Sequence, residues 1–238
     1  MLKTLLLAIN SKYLHSSLSV WILAESVRQY SEKPHTVKVI ECTINQSISD
    51  IAEQVAAHKP DVVGISTYIW NAGMLPDLIK HLRQHLPDTL FVLGGPEASH
   101  NSQYWLDYAD YVLCGEGERS FSALLDMLSE KDKKPRAIEA LDRKQNHDAA
   151  INSESAGEFI DPYTDEYIEH LRGKIAYIET SRGCPFKCAF CLSGETSVKF
   201  LSIDKAKRQI DILSKSGARV IKFVDRTFNS LKVFRRKI

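Results

Sequence analysis

Residues 1–130 alternate five times between a short apolar run and a longer amphipathic stretch, and this alternation constrains the fold most strongly. The apolar runs, such as KTLLLAI (3–9) and DVVGIST (61–67), have few polar positions, which is typical of strands covered on both faces. The longer stretches, such as ISDIAEQVAAH (48–58), repeat apolar residues at helical intervals. Five successive βα units predict an α/β fold with a doubly wound five-stranded parallel sheet. Any ligand is then expected beyond the carboxyl ends of the strands.

The chain changes character after this alternation. The stretch from Glu130 to Phe159 is charged, polar and poor in aromatic residues. We therefore predict a domain at 1–132, a linker with little regular structure at 133–170, and a second region at 171–238. The second region begins with a predicted strand, Ile175–Glu179, that runs into a cysteine-rich loop. An amphipathic helix (202–217) and another strand (219–229) follow.

Composition narrows the class of protein. The formal net charge is +1 and 44% of residues are hydrophobic, as in ordinary globular domains, so no nucleic-acid partner is expected. No apolar run approaches the roughly 20 residues that a membrane helix needs, and the opening MLKTLLLAIN is too short for a signal peptide. Three of the five cysteines are clustered, which favours a metal site in a reducing cytoplasm over a disulfide framework.

The clustered cysteines are Cys184, Cys188 and Cys191, in the stretch TSRGCPFKCAFCLSG (180–194). Thiolates at this spacing can surround one soft metal centre. A structural zinc site needs four protein ligands, and the sequence offers no paired fourth ligand close by. A four-iron cluster held by three cysteines keeps one iron open for an outside ligand.

The pattern Cys184-x-x-x-Cys188-x-Phe190-Cys191, directly after a predicted strand, resembles the signature of radical S-adenosylmethionine (SAM) enzymes. The resemblance implies that the three cysteines hold a [4Fe–4S] cluster and that SAM chelates the fourth iron. Phe190 would lie near the adenine, and Asp225 and Arg226, at the end of the next strand, would contact SAM. Reduction of the cluster, with flavodoxin or ferredoxin as electron donor, would cleave SAM to a 5′-deoxyadenosyl radical.

In front of such a motif, the doubly wound domain resembles a flavodoxin-like cobalamin (B12)-binding domain. Many such domains carry Asp-x-His-x-x-Gly after the first strand, whereas this chain reads NSKYLHSSL there, so His15 is only a weak candidate for the cobalt ligand. Tyr68 and Trp70 would wall the ligand site. The expected cobalamin contacts lie in the loops after the first, third, fourth and fifth strands: Asn10, Lys12, Ser66, Thr67, Tyr68, Gly94, Gly95, Pro96, Gly115, Glu116 and Gly117.

Together, ETSRGCPFKCAFCLS and KFVDRTFN resemble uncharacterised cobalamin-dependent radical SAM proteins grouped by a domain of unknown function. The second region would hold only the first βαβ part of a radical SAM (β/α) barrel. We therefore expect a C-terminally truncated chain that keeps cofactor binding but has impaired or absent turnover. For a complete relative, methyl transfer through cobalamin and another use of cobalamin are both open. Two alternatives stay open. One is a non-catalytic cobalamin or other cofactor module whose cysteine loop is unused or zinc-bound, and the other is a relic that folds only in its first domain.

Overall fold

A computed structural model describes residues 1–130, 140–141, 159–191 and 197–228. The chain divides into two compact units, Met1–Ile151 with Ile160–Pro162, and Asn152–Phe159 with Tyr163–Ile238. Among the helices in the described ranges, none has the length and apolar character needed to cross a bilayer. The domain boundaries at 132 and 170 stay predictions.

The first unit alternates strands and helices along the chain. Its elements are β1 (Lys3–Asn10), α1 (Leu18–Tyr30), β2 (Thr36–Thr43), α2 (Ile48–Ala56), β3 (Val62–Ser66), α3 (Leu75–His85), β4 (Leu90–Gly94), α4 (Pro96–His100), α5 (Ser102–Trp105), β5 (Tyr111–Leu113), α6 (Glu118–Leu128) and β6 (Ala140–Leu141).

The strands of this unit form one sheet in the order β2-β1-β3-β4-β5-β6, and every pair is parallel. The order of the first five strands is that of a doubly wound, flavodoxin-like fold, so the predicted fold class is confirmed. In this order the winding reverses between β1 and β3. The carboxyl ends of these two strands therefore flank the crevice where such sheets bind their ligands.

Burial explains why the apolar runs become strands. Every residue of β1 after Lys3 is buried, because β2 and β3 flank the strand and helices cover the sheet. The helices bury one stripe each: α3 buries Leu75, Leu78, Ile79 and Leu82, the spacing of one helical face. This packing gives the carboxyl edge of the sheet a fixed base.

The second unit contains a βαβ arrangement together with short additional elements. In chain order these are α7 (Asp165–His170), β7 (Ile175–Ile178), β8 (Ser181–Arg182), β9 (Lys199–Phe200), α8 (Ile203–Ser214) and β10 (Val220–Phe223). β7 and β10 pair in parallel, with Ile175 opposite Val220 and Ile178 opposite Phe223. The predicted order of strand, cysteine loop, helix and strand is thus present.

The structure differs from the sequence-based expectation in three short places. β6 joins the sheet through two residue pairs with β5, and α7 forms just before β7. Both lie in 133–170, where we predicted little regular structure. β8 and β9 form an antiparallel pair at the base of the cysteine loop. Strands of two residues are too short to leave a periodic pattern, so the sequence does not reveal β6, β8 or β9.

Candidate functional site

The first candidate site is the edge where the winding of the first sheet reverses, which we call the switch-point edge (residues 10–19 and 66–71). Asn10 ends β1 and Ser66 ends β3, so both lie at this edge. Asn71 connects the two strands, because its Nδ2 donates to the carbonyl oxygens of Ile9 at 3.2 Å and Ser66 at 2.9 Å. Asn71 is fully buried and also accepts the backbone N–H of Tyr68 at 2.9 Å. Sequence reasoning missed this residue.

Glu41 on β2 organises the other side of the switch-point edge. Its carboxylate accepts hydrogen bonds from Asn10 Nδ2 at 2.6 Å, the backbone N–H of Ser17 at 3.0 Å and Trp21 Nε1 at 2.8 Å. Asn10 was expected to contact cobalamin, but in this structure its amide donates to Glu41 and to the carbonyl oxygen of His15. Glu41 therefore fixes the loop between β1 and α1. A carboxylate in an apolar strand was the available signal, and sequence reasoning did not use it.

Apolar side chains at the switch-point edge face solvent. The rings of Tyr68 and Trp70 stack with centroids 4.3 Å apart, and Trp70 Nε1 donates to the carbonyl oxygen of Ile9 at 3.1 Å. Ile69, which lies between these two residues in the sequence, is 84% exposed, and Tyr13 is 74% exposed. Lys12 is exposed as well. A flat, largely apolar macrocycle with polar substituents suits such a surface, since it covers the exposed aromatic and aliphatic groups.

The loop after β4 approaches the loop after β3 very closely. Gly95 has φ +108°, and a Cβ at this position would lie 2.8 Å from the carbonyl oxygen of Thr67. Thr67 also donates its backbone N–H to the carbonyl oxygen of Gly94 at 2.7 Å. The predicted residues Thr67, Gly94 and Gly95 are thus brought together, and Pro96 follows as the exposed first residue of α4. Glycine is required at position 95 because the loop after β3 lies so close, which is a structural role.

The loop after β5 is more open. Gly115 has φ +86° and nothing within 4 Å of a Cβ built on it, and its N–H donates to Ser99 Oγ at 3.0 Å. Glu116 is exposed, and Gly117 is the N-cap of α6 without a side-chain capping bond. The first-turn amides of α6 therefore lack a capping side chain at Gly117, which suits a polar ligand group. The exposed apolar surface at the switch-point edge, the open space beside Gly115 and the start of α6 together fit cobalamin.

The second candidate site is the loop that leaves β7 and β8. Cys184 is half-buried, whereas Cys188 and Cys191 are exposed, and none forms a disulfide. The backbone N–H of Cys191 donates to the carbonyl oxygen of Cys188 at 3.0 Å, so these two residues share a turn. Phe190 is 92% exposed. Within the described ranges, no three side chains of the Cys, His, Asp and Glu types lie close enough to hold a metal ion.

The donor chemistry of this loop nevertheless fits an iron–sulfur cluster. Three thiols lie on one turn-containing loop, and the antiparallel β8–β9 pair closes its base. Cys42 makes an instructive contrast. Burial, with a further contribution from Glu41, raises the pKa of the Cys42 thiol to about 11, so this cysteine stays protonated and is unsuited to metal binding near neutral pH.

The two residues predicted to contact SAM at the end of β10 lie in different environments. Asp225 is half-buried and its carboxylate accepts hydrogen bonds from the start of the cysteine loop, namely from the backbone N–H groups of Thr180 and Ser181 and from the Thr180 hydroxyl. Arg226 is exposed. Contact of either residue with SAM stays a prediction.

A doubly wound sheet with an exposed ligand edge, followed by a thiol-bearing loop, defines a cofactor-binding α/β protein. Residues 4–125 match the family described as B12 binding domain. This chain belongs to the B12-binding domain family.

The curated relatives extend the similarity beyond this domain. The hopanoid C-3 methylase of Methylococcus capsulatus is 30% identical over 197 residues, which are 73% of this chain and 35% of that protein. An uncharacterised methyltransferase of Pyrococcus horikoshii is 28% identical over 236 residues, covering 89% of this chain and 49% of that protein. TokK of Streptomyces tokunonensis, a cobalamin-dependent radical SAM methyltransferase, is 25% identical over 159 residues, covering 60% of this chain and 23% of that protein. The chain spans about half or less of these relatives.

Solved structures share the fold across most of the chain. OxsB, a cobalamin-dependent S-adenosylmethionine radical enzyme, matches with a TM-score of 0.68 and 19% identity, over 96% of this chain and 34% of that chain. TsrM from Kitasatospora setae, a radical S-adenosylmethionine methyltransferase, matches with a TM-score of 0.70 and 15% identity, over 98% of this chain and 49% of that chain. The resemblance found in the sequence is thereby confirmed for the family and the fold.

Proposed function

We propose that this chain binds cobalamin at the switch-point edge, and a [4Fe–4S] cluster with SAM at the cysteine loop, as part of a radical SAM methyl-transfer reaction. The observation that carries the proposal is the presence in one chain of a B12-binding domain and, in the loop that follows β7 and β8, of Cys184, Cys188 and Cys191. The methyltransferases among the curated relatives support the reaction class.

The switch-point edge would bind cobalamin through shape and apolar contact. Ile69 and Trp70 are exposed and, together with the half-buried Tyr68, offer an apolar surface to the macrocycle. Lys12 and Ser66 would meet its polar side chains, and Gly94, Gly115, Glu116 and Gly117 would border its tail. Cobalamin would supply a cobalt centre able to carry a methyl group, while the role of the protein is to hold the macrocycle.

At the second site, the three cysteine thiolates would hold three irons and leave the fourth for the amino and carboxylate groups of SAM. The bound cluster would supply the electron that cleaves SAM. Phe190, which is exposed in this structure, would cover the adenine, and Arg226 would meet the charged part of SAM. A cytoplasmic reductant such as flavodoxin or ferredoxin would donate the electron.

One observation favours a second candidate function. The three thiols do not converge on a common point in the structure. A non-catalytic cobalamin-binding module with an unused cysteine loop would also have this geometry, whereas a zinc-bound loop would need the thiols to converge, as a cluster does. The two functions differ in the iron, sulfide and zinc content of the protein.

The test is anaerobic reconstitution with iron, sulfide and cobalamin, followed by electron paramagnetic resonance of the reduced protein with and without SAM. We expect a four-iron signal that changes when SAM is added. The signal should disappear in Cys191→Ser and remain in Cys42→Ser, because Cys42 is a buried thiol of the first sheet. A chain that binds cobalamin but forms no cluster would favour the non-catalytic module.

Cobalamin binding is tested separately by titration followed in the visible spectrum. Ile69→Asp places a charge on the exposed apolar surface and should weaken binding about tenfold or more, because a charge against an apolar ligand is poorly solvated. Ile210→Asp on α8 is the control, since Ile210 is also exposed but lies far along the chain in the second unit. Equal affinity of both variants and the unmodified chain would contradict binding at the switch-point edge.

A further inference from the structure

The base of the cysteine loop is tied to the rest of the second unit by several independent contacts. Ser181 and Arg182 of β8 pair with Phe200 and Lys199 of β9. The backbone N–H of Leu201 donates to the carbonyl oxygen of Thr180 at 2.9 Å. The segment that carries the three cysteines therefore begins and ends at residues that are hydrogen-bonded to each other.

A further connection is made by the side chain of Asp225, which lies two residues beyond the end of the strand β10. Asp225 Oδ1 accepts the backbone N–H groups of Thr180 at 2.6 Å and Ser181 at 3.0 Å. Asp225 Oδ2 accepts the hydroxyl of Thr180. Thr180 and Ser181 are 4% and 3% exposed, so these hydrogen bonds are shielded from water at the donor end. Hydrogen bonds to a carboxylate are among the stronger ones in proteins.

The position of this carboxylate relates it to the thiols. Ser181 precedes the first cysteine, Cys184, by only three positions. Without Asp225, two buried backbone N–H groups and one hydroxyl would lose their acceptor at the point where the chain enters the loop. If the two ends of the loop move independently, the loop loses more conformational entropy when its three cysteine thiols come together around one metal cluster.

We propose that Asp225 is a positioning residue for the cysteine loop. Its carboxylate holds Thr180 and Ser181 in place and so limits the freedom of the loop before a cluster assembles. This inference rests on the proposed cluster at Cys184, Cys188 and Cys191. It differs from direct binding of SAM, because positioning depends on hydrogen-bond acceptors in the right places, whereas attraction of the positively charged SAM depends on the negative charge of the carboxylate.

Two substitutions separate these roles. In Asp225→Asn, Oδ1 can still accept both backbone N–H groups and the new amide can donate to the Thr180 hydroxyl, so the shape of the tie is kept without the charge. In Asp225→Ala, all acceptors are lost. Asp211→Ala is the matched control, since Asp211 lies on α8 and its ion pair with Lys215 is largely exposed.

The first measurement uses the cluster-free protein and follows hydrogen exchange at the amides of Thr180 and Ser181. We expect exchange to accelerate about tenfold or more in Asp225→Ala, the factor that loss of one charge-assisted hydrogen bond produces. Exchange in Asp225→Asn and Asp211→Ala should stay within about threefold of the unmodified chain. Unchanged exchange in Asp225→Ala would overturn the proposal, and this result does not depend on whether a cluster forms.

The second measurement uses the reconstituted protein. It follows the rate at which a chelator removes iron and the electron paramagnetic resonance spectrum of the reduced cluster. Asp225→Ala should lose iron about tenfold faster, and Asp225→Asn should restore both the rate and the spectrum. If both variants keep the cluster equally well and both lose the spectral change on adding SAM, the carboxylate serves the charge of SAM and the positioning role is wrong. If even the unmodified chain assembles no cluster, the proposed function fails, while hydrogen exchange still decides whether Asp225 holds the loop.

Discussion

The two units of this protein differ in how well their strands are covered. In the first unit, β1 lies between two strands and its residues Leu5 to Ile9 are at most 1% exposed. In the second unit, β10 pairs only with β7 within the described residues, and Val220 and Phe223 are 47% and 40% exposed. Both units contain a βαβ arrangement. In the first unit its strands are enclosed in an apolar core, whereas in the second unit the side chains of β10 are largely exposed.

This difference shows that the two candidate sites are held by different forces. The switch-point edge lies on a sheet stabilised by burial of apolar area, the largest favourable contribution to folding. The cysteine loop depends more on polar ties: the Asp225 carboxylate, the β8–β9 pair and the ion pair between Glu179 and Arg182 at 2.8 Å. Substitutions of apolar core residues should therefore act mainly on the first unit, whereas the cysteine loop of the second unit should respond mainly to substitutions of these polar residues.

The largest effect is expected from equivalent phenylalanine truncations in the two units. Phe91 in β4 is 0% exposed, so Phe91→Ala should lower the free energy of unfolding of the first unit by about 4 kcal/mol. Phe223 in β10 is 40% exposed, and Phe223→Ala should cost about 1 kcal/mol or less. Urea unfolding followed by circular dichroism measures both values.

The comparison would be broken by equal shifts of the unfolding midpoint in the two variants. That result would mean that the side chain of Phe223 contributes as much to stability as one in a filled core. A shift for Phe91→Ala alone, with the remaining transition unchanged, would sharpen the distinction between the two units.

A second test compares glycines that both have positive φ. Gly95 in the first unit has φ +108° and a Cβ there would meet the backbone oxygen of Thr67 at 2.8 Å, so Gly95→Ala should cost about 3 kcal/mol. Gly217 in the second unit has φ +75°, and its Cβ would meet the side chain of Arg172 at 3.4 Å. Gly217→Ala should cost only the backbone strain, about 1 kcal/mol.

The measurement is again the unfolding midpoint in urea, with cobalamin titration added for the Gly95 variant. Similar costs for the two alanine variants would show that backbone strain alone determines the effect. A larger cost at Gly95 would show that close packing between the loops after β3 and β4 makes glycine necessary there.

The features that sequence reasoning recovered are those with a local pattern. The apolar runs of 3–9 and 61–67 became β1 and β3, and the order of the first five strands agreed with the expected doubly wound fold. The positions of Asn10, Ser66 and Gly94 at the carboxyl edge follow directly from this topology, because all parallel strands end on the same side.

The features that sequence reasoning missed depend on contacts between distant positions. Glu41 accepts hydrogen bonds from residues 20 to 31 positions away, and Asp225 from residues 44 and 45 positions away. No spacing rule in a single sequence connects such partners. Cysteine spacing likewise identified the three thiols of the loop but could not give their arrangement, which depends on side-chain directions within the loop.

The smallest expected effect concerns a polar cluster in the first unit, at the opposite end of the sheet from the switch-point edge. Asp126 of α6 accepts the backbone N–H groups of Glu32 at 2.8 Å and Lys33 at 3.2 Å, and its Oδ1 lies 2.9 Å from His35 Nε2. Burial acts to raise the pKa of Asp126, but the hydrogen bonds from His35, Glu32 and Lys33 together lower it below the ordinary value of 3.8. The carboxylate is therefore stabilised in the folded chain.

Because the folded-state pKa of Asp126 is lowered, the unfolded chain binds the proton more readily. The stabilisation is then complete above pH 3.8 and is lost as the pH falls through the folded-state pKa. Asp126→Asn should lower the free energy of unfolding by about 2 kcal/mol at neutral pH and reduce the loss of stability on acidification. Asp211→Asn in the second unit removes an exposed ion pair and should cost less than about 0.5 kcal/mol at any pH. Unfolding curves measured between neutral pH and the acid range decide the matter, and a steep acid transition that persists in Asp126→Asn would assign the pH dependence to other carboxylates.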